Sequence, residues 1–180
     1  IADVPEWVKD AVVYNIFPDS FAGAAGKISG DHITKLFQNE HMDEPVCTSS
    51  NLGGTIRGIG ENAGYLKELG INCIYINPIF AAGEYHKYDT LDYFHIDPCF
   101  GSNEDFKEMV KIMHQNGIRV IIDGVFNHCG WKFFAFEDVV KNGEKSKYVD
   151  WFYKLTFPVK RPETPEEIPG YECFAYERLM

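Results

Sequence analysis

Several things are scarce in this chain of 180 residues, and each scarcity excludes something. Basic residues are few: 17 Lys and Arg stand against 27 Asp and Glu, for a net charge of −10. A surface of that sign repels phosphate backbones and anionic lipid, which argues against nucleic acid and membrane partners and favours a neutral ligand or a protein. No apolar run approaches the roughly 18 residues of a membrane span. The five cysteines (Cys47, Cys73, Cys99, Cys129 and Cys173) form no C-x-x-C pair. An odd number without metal spacing reads as reduced thiols of a cytoplasmic protein, not a disulfide framework. The histidines His32, His41, His86, His95 and His114 show no zinc spacing. There is no internal repeat and no signal-like leader; the opening Ile1-Ala2-Asp3 reads as a cut point. Length is short too: a complete eight-fold α/β barrel needs about 250 residues.

Aromatics, by contrast, are plentiful, with 14 Phe and 10 Tyr, enough for a core or a sugar-stacking surface. Three apolar runs rich in β-branched residues read as buried strands: Ala11 to Phe17, Asn72 to Asn77 and Ile118 to Asp123. Their near-continuous apolarity is what a parallel sheet covered on both faces requires. Between them lie two helical segments. One starts at Ser102, with Asp105 completing a capping box, and places Phe106, Met109, Val110 and Met113 on one face before Gly117. The other carries Ile59, Ala63, Leu66 and Leu69 on one face and stops at Gly70. Strand, helix, strand, helix, strand is the repeat of right-handed βαβ units. The connections from helix to strand are very short, while those from strand to helix are long. Long loops in a compact domain are usually functional, and here they leave the strand C-termini, where α/β folds place their sites. Residues 131–180, aromatic and then Pro-rich, read as a further excursion from the same face.

Two clusters could carry chemistry. Past the third strand, Asp123, Asn127 and His128 bring a carboxylate, an amide and an imidazole together; they either converge on a ligand or cap local backbone. After the second strand, His86, Tyr88, Asp89, Asp92 and Tyr93 interleave hydrogen-bonding groups with flat rings. Sugar recognition needs that mixture, because a pyranose has hydroxyl edges and an apolar face; local aromatic packing would also account for it. Cys129 beside His128 lacks the surroundings of a thiol nucleophile. Gly53-Gly54 is too short for a phosphate cradle and reads as a tight turn.

Five ordered motifs now align with a known family. Val13-Tyr14-Asn15-Ile16-Phe17-Pro18-Asp19-Ser20-Phe21 resembles the Y-Q-I-F-P-x-R-F opening of the α-amylase superfamily, and Gly53 to Ile59 resembles its G-G-D-L-x-G-I. His86 to Tyr93 is similar to H-x-Y-D-T-x-D-Y, Asp97 to Gly101 to D-P-x-F-G, and Asp123 to His128 to D-x-V-x-N-H. The tail Tyr171-Glu172-Cys173-Phe174-Ala175 resembles the cyclomaltodextrinase, neopullulanase and maltogenic amylase branch.

The resemblance implies a partial TIM barrel: three βα units over residues 1–130, then a domain-B-like excursion over 131–180 that ends before the fourth strand. It implies a retaining glycosidase acting on α-glucan oligosaccharides through a nucleophile and a general acid. It assigns Tyr88 to stacking on the sugar at the cleaved position, His128 to a hydrogen bond with that sugar, His86 and Asp89 to substrate contact, and Asp123 to organising the site. The nucleophile, acid and stabilising aspartate follow later strands, so this chain alone is expected to be inactive. Ser20 replaces a family arginine, and Thr55 stands where a metal-binding aspartate is common. The loop Ala22 to Gly26 lacks the branch's calcium ligands, whereas Asn127 matches a calcium ligand of other branches. The alternatives are a non-catalytic, weakly sugar-binding piece, or an α-1,6-glucosidase or transglycosylase of the same superfamily. Three barrel strands leave open edges, which implies self-association.

Overall fold

The computed structural model describes residues 3–23 and 52–160. Residues 24–26 of the loop after the first strand, His32, His41, Cys47, Cys173 and the 171–175 motif lie outside the described residues. The chain divides into two units, residues 1–129 and 130–180.

The first unit opens with a short helix α1 (Glu6–Lys9) and strand β1 (Val13–Ile16). Helices α2 (Ile56–Glu61) and α3 (Ala63–Glu68) lead to β2 (Cys73–Ile76). A hairpin follows, β3 (Phe80–Ala82) with β4 (Thr90–Ile96), then helix α4 (Asn103–Gln115) and strand β5 (Arg119–Ile122). Three strands form a parallel sheet in the order β1-β2-β5, with Val13 opposite Cys73 and Cys73 opposite Arg119. The α/β class expected from the sequence is therefore present, with each strand one or two residues shorter at either end than its apolar run.

Burial follows position in the sheet. Central β2 pairs on both sides, and Cys73, Ile74 and Ile76 are fully buried. β1 and β5 alternate instead, with Val13 51% and Ile121 36% exposed. The expectation of three strands covered on both faces holds only for β2, because β1 and β5 are the sheet's outer strands and apolarity alone does not reveal an edge.

One core holds this unit together: Ile16, Ile74, Ile76 and Ile79 from the strand side, and Ile56, Ile59, Leu66, Met109 and Met113 from the helices. Each such side chain contributes about 1.5–3 kcal/mol by leaving water. Helix α4 begins as the sequence implies. The Ser102 hydroxyl accepts from Asp105 N, and the Asp105 carboxylate accepts from Ser102 N at 2.9 Å. These contacts hold the Asp105 carboxyl below its ordinary pKa. Gly117 (φ +74°) and Gly70 (φ +78°) reverse the chain after their helices, a backbone that L side chains rarely adopt.

Two expectations need correction. The segment before Gly70 is broken into α2 and α3 at Asn62, whose side-chain amide donates to the Gly58 carbonyl at 2.7 Å. Three glycines in Ile56 to Gly64 weaken the helix there. Leu69 leaves the buried face and is 50% exposed, because it caps α3. Second, the segment after β2 is a β-hairpin. Phe80 pairs with Ile96 and Ala82 with Thr90 through an irregular register. Three residues, Phe-Ala-Ala, carry no alternation by which β3 could be recognised.

The second unit contains α5 (Phe134–Asn142) followed by 3₁₀ turns at Gly143–Lys145 and Val149–Trp151. It is held by aromatic contacts such as Phe136 with Phe152 (5.1 Å between ring centres). The Asp138 carboxylate adds hydrogen bonds from Asn142 and Ser146.

Candidate functional site

The C-terminal ends of β1, β2 and β5 carry the polar groups of the first unit. At the end of β1, Asn15 donates through its amide to Asn77 Oδ1 at 2.8 Å, tying β1 to β2. Asp19 is buried, and its carboxylate accepts from Leu52 N (2.8 Å), Gly53 N (2.9 Å) and the Tyr85 hydroxyl (2.7 Å). Burial and then the Asp19 carboxylate push the Tyr85 phenol well above its ordinary pKa. Asp19 thus staples the Gly53-Gly54 turn and the hairpin to the end of β1. Gly54 is obligatory there, since a Cβ would lie 1.9 Å from the Pro18 carbonyl oxygen.

The hairpin presents the expected sugar-contacting residues. The Tyr88 hydroxyl donates to Asp123 Oδ2 at 3.1 Å, at the end of β5. Partial burial, then the Asp123 carboxylate and the neighbouring Tyr75 phenol, raise the Tyr88 pKa, and Tyr75 is raised by burial and Asp123 as well. His86 Nδ1 accepts from Tyr88 N at 3.0 Å, which puts the neutral ring's proton on Nε2. Its ring lies 5.9 Å from that of Tyr88. His128 Nε2 stands 2.9 Å from the Tyr88 carbonyl oxygen, and because a carbonyl only accepts, that nitrogen carries the proton. Asn127 Nδ2 is 3.5 Å from His128 Nδ1. Tyr88, His86, Asp123 and His128 are therefore brought together.

Asp89 is directed elsewhere. Its carboxylate accepts from Gly83 N (2.9 Å) and Glu84 N (3.0 Å), closing the hairpin turn. Asp92 accepts from Phe94 N at 2.7 Å and pairs with His95 Nδ1 at 2.6 Å. Burial would raise the Asp92 carboxyl, but these partners outweigh it and hold it below its ordinary value.

Sequence reasoning passed over Lys87 and Asp97. Both are buried and form an ion pair of 3.0 Å. Asp97 also accepts from Cys99 N (3.0 Å) and Ala82 N (3.1 Å). Burial opposes its charge, yet the Cys99 N–H, the Lys87 ammonium and the Ala82 N–H together hold its pKa below the ordinary value. Periodicity could not mark these two, since a buried lysine looks like any solvated one in sequence. Asp19 was equally silent, although a motif contains it, and Tyr93, singled out for sugar recognition, instead places its hydroxyl against the Val125 and His128 carbonyls.

Of the positions weighed for calcium, the described ones make local contacts. Calcium takes about six to eight oxygens. Ala22 O is already used by Thr55 N at 2.8 Å, and Thr55 itself accepts from Gly58 N as the α2 cap. The Asn127 amide faces an imidazole, and among the described residues no group of three His, Cys, Asp or Glu could hold a metal ion. Nor is any described helix long and apolar enough to cross a membrane.

Comparison with known proteins places these features in context. The family profile for the alpha amylase catalytic domain matches residues 15–177. The cyclomaltodextrinase of Thermoanaerobacter pseudethanolicus is 47% identical over 171 residues, 95% of this chain and 28% of that protein. Neopullulanase 2 of Thermoactinomyces vulgaris is 43% identical over 96% of this chain and 28% of its own length. Among solved structures, the acarbose-soaked debranching enzyme of Nostoc punctiforme superposes with a TM-score of 0.75 at 39% identity, covering 98% of this chain and 37% of that one. The chain thus spans little more than a quarter of the length of the curated relatives it matches.

Proposed function

The chain belongs to the alpha-amylase catalytic-domain family, and on that premise we propose that it is part of a retaining α-glucan hydrolase cleaving α-1,4 bonds in cyclodextrins, pullulan or maltooligosaccharides. Residues 1–130 supply the first three βα units of its TIM barrel, and 131–180 the excursion after the third strand. The enzyme is cytoplasmic in this reading, in keeping with the free thiols of Cys73 and Cys99.

The observation that carries the proposal is the grouping of Tyr88, His86, Asp123 and His128 beyond the ends of β2 and β5. Tyr88 offers a ring that is 37% exposed, on which the apolar face of a glucose unit can stack. His86 offers its Nε2–H to a hydroxyl, His128 offers Nδ1 as an acceptor while its Nε2–H holds the Tyr88 carbonyl, and Asp89 shapes the loop that carries Tyr88. Asp123 organises the group through the Tyr88 hydroxyl.

Retaining cleavage needs two carboxyl groups about 5–5.5 Å apart, one of them a nucleophile free to attack. Asp19, Asp89 and Asp97 instead accept backbone N–H groups. A carboxylate so committed is a poor nucleophile or acid, so in this reading the catalytic pair comes from elsewhere in the full protein. This chain contributes substrate binding and is inactive alone.

The test is hydrolysis of maltotriose, γ-cyclodextrin and pullulan by the full-length protein, with the first product's anomer read by proton NMR. The α-anomer is expected. A β-anomer, or no glucan hydrolysis, overturns the reading, and turnover by the 180-residue chain alone overturns its inactivity. The likeness to a debranching enzyme favours one second reading, cleavage of α-1,6 bonds. Panose released from pullulan marks α-1,4 cleavage and maltotriose marks α-1,6 cleavage, so the same assay separates the two.

A further inference from the structure

We propose that the buried Lys87–Asp97 ion pair is a positioning device that sets the Tyr88 ring for sugar contact. The inference rests on the functional reading above, in that Tyr88 is taken to meet the substrate.

Lys87 stands between two ring-bearing residues of the hairpin loop, His86 and Tyr88. Its backbone is left-handed, with φ +63°, a conformation that a non-glycine residue holds only when its surroundings compel it. Two contacts do so. Lys87 N donates to the Glu84 carbonyl at 3.2 Å, and its ammonium meets Asp97 Oδ2 at 3.0 Å with both side chains more than nine-tenths buried. The Lys87 ammonium also lies 5.8 Å from the centre of the Phe100 ring. Asp97 cannot follow the loop, because Ala82 N on β3 and Cys99 N hold its two oxygens. The lysine is therefore an anchor driven inward between two outward-facing rings. Its neighbour Tyr88 is left with the Asp123 carboxylate in front and the His128 imidazole against its carbonyl.

A buried ion pair is a poor way to gain stability, since desolvation offsets most of the attraction and apolar residues of the same volume do as well. What it supplies is direction: one lysine geometry satisfies one carboxylate, and the loop conformation follows. The pair thus acts on the sugar site through Tyr88 and touches no substrate itself.

The experiment is a double-mutant cycle in the full-length protein, with Lys87→Met, Tyr88→Ala and both together assayed on maltotriose. A misplaced ring should cost Lys87→Met about tenfold in kcat/KM. In the Tyr88→Ala background the same change should cost no more than about twofold, because its effect runs through that ring. Lys87→Arg, which keeps the charge, should recover most of the loss. Equal losses in both backgrounds would show a general structural role and overturn the proposal.

A second readout does not need activity. With tyrosine labelled at Cζ and Tyr88 assigned from Tyr88→Phe, the Tyr88 phenol should titrate above its ordinary range in the wild type and move back toward that range in Lys87→Met. An unchanged titration overturns the proposal even if the protein hydrolyses no glucan; in that event the functional reading falls separately. If Lys87→Met does not fold, the neutral pair Lys87→Gln with Asp97→Asn carries the same two measurements.

Discussion

The Tyr93 hydroxyl lies 2.6 Å from the Val125 carbonyl oxygen and 2.8 Å from that of His128. One phenol on β4 thereby secures both ends of the turn that carries Phe126 and Asn127 past β5. The Tyr93 ring also packs 5.8 Å from Phe126. Tyr93→Phe keeps the ring and removes the tie. The expected cost is about 1–2 kcal/mol, because partly buried carbonyls lose their donor. Urea denaturation should show it, and backbone amide exchange at Asn127 and His128 should accelerate. Exchange unchanged at those two amides would mean the turn is held by other contacts.

Asp97 should govern the acid limb of stability. Its folded-state pKa lies below the unfolded value of about 3.9, so as pH falls the unfolded chain takes up the proton first. The stabilisation is therefore complete above that value and is lost as pH falls through it toward the lower folded pKa. Asp97→Asn leaves the Lys87 ammonium buried without its counter-charge, at an expected cost of about 3–5 kcal/mol at neutral pH. It should also flatten the decline in stability below about pH 4. Denaturant midpoints measured between neutral pH and about pH 3 check both parts.

Gly54→Ala should fail for a reason independent of charge. The added methyl would sit 1.9 Å from Pro18 O and 2.5 Å from Asp19 O, both backbone atoms. Relief requires moving the chain after β1, with loss of the Asp19 contacts to Leu52 and Gly53. The expected loss is about 3 kcal/mol or more, in the range of severe single substitutions. Gly64→Ala, where no atom lies within 4 Å of the new methyl, is the control and should be neutral or slightly stabilising.

Ser102→Ala should cost about 1 kcal/mol by removing the α4 cap. The Asp105 carboxyl should then rise toward its ordinary pKa, since the Ser102 contacts are what lower it. Carboxyl carbon shifts followed against pH would record the change.

The 180-residue chain in isolation should self-associate. Its parallel sheet has β1 and β5 as outer strands, and Val12 and Val13 are each 51% exposed beside that edge. Exposed apolar edges template further pairing unless covered. Light scattering should show mass rising with concentration, and a stable monomer at high concentration would count against it.

How much was legible depended on how local each feature is. The capping box of α4 and its Met109–Met113 face needed only residues a few positions apart, and both are where the pattern puts them. The parallel strands were visible because β-branched runs flanked by helices have few other arrangements. The hairpin was not, since β3 is three residues whose pairing with β4 depends on contacts rather than on alternation.

Within the site the same division holds. Residue types together with the resemblance to family motifs singled out Tyr88, His86, Asp89, Asp123, Asn127 and His128. They said nothing of which side chains would be free. Only the tertiary structure decided that Asp89 closes a turn, that Asp19 staples a loop and that Lys87 turns inward to Asp97 while Tyr88 faces Asp123. The physical reason is that hydrogen bonding and burial belong to atoms brought together across 6 to 66 positions of chain. An acidic or basic letter in a sequence does not reveal which partner will neutralise it, or whether water will.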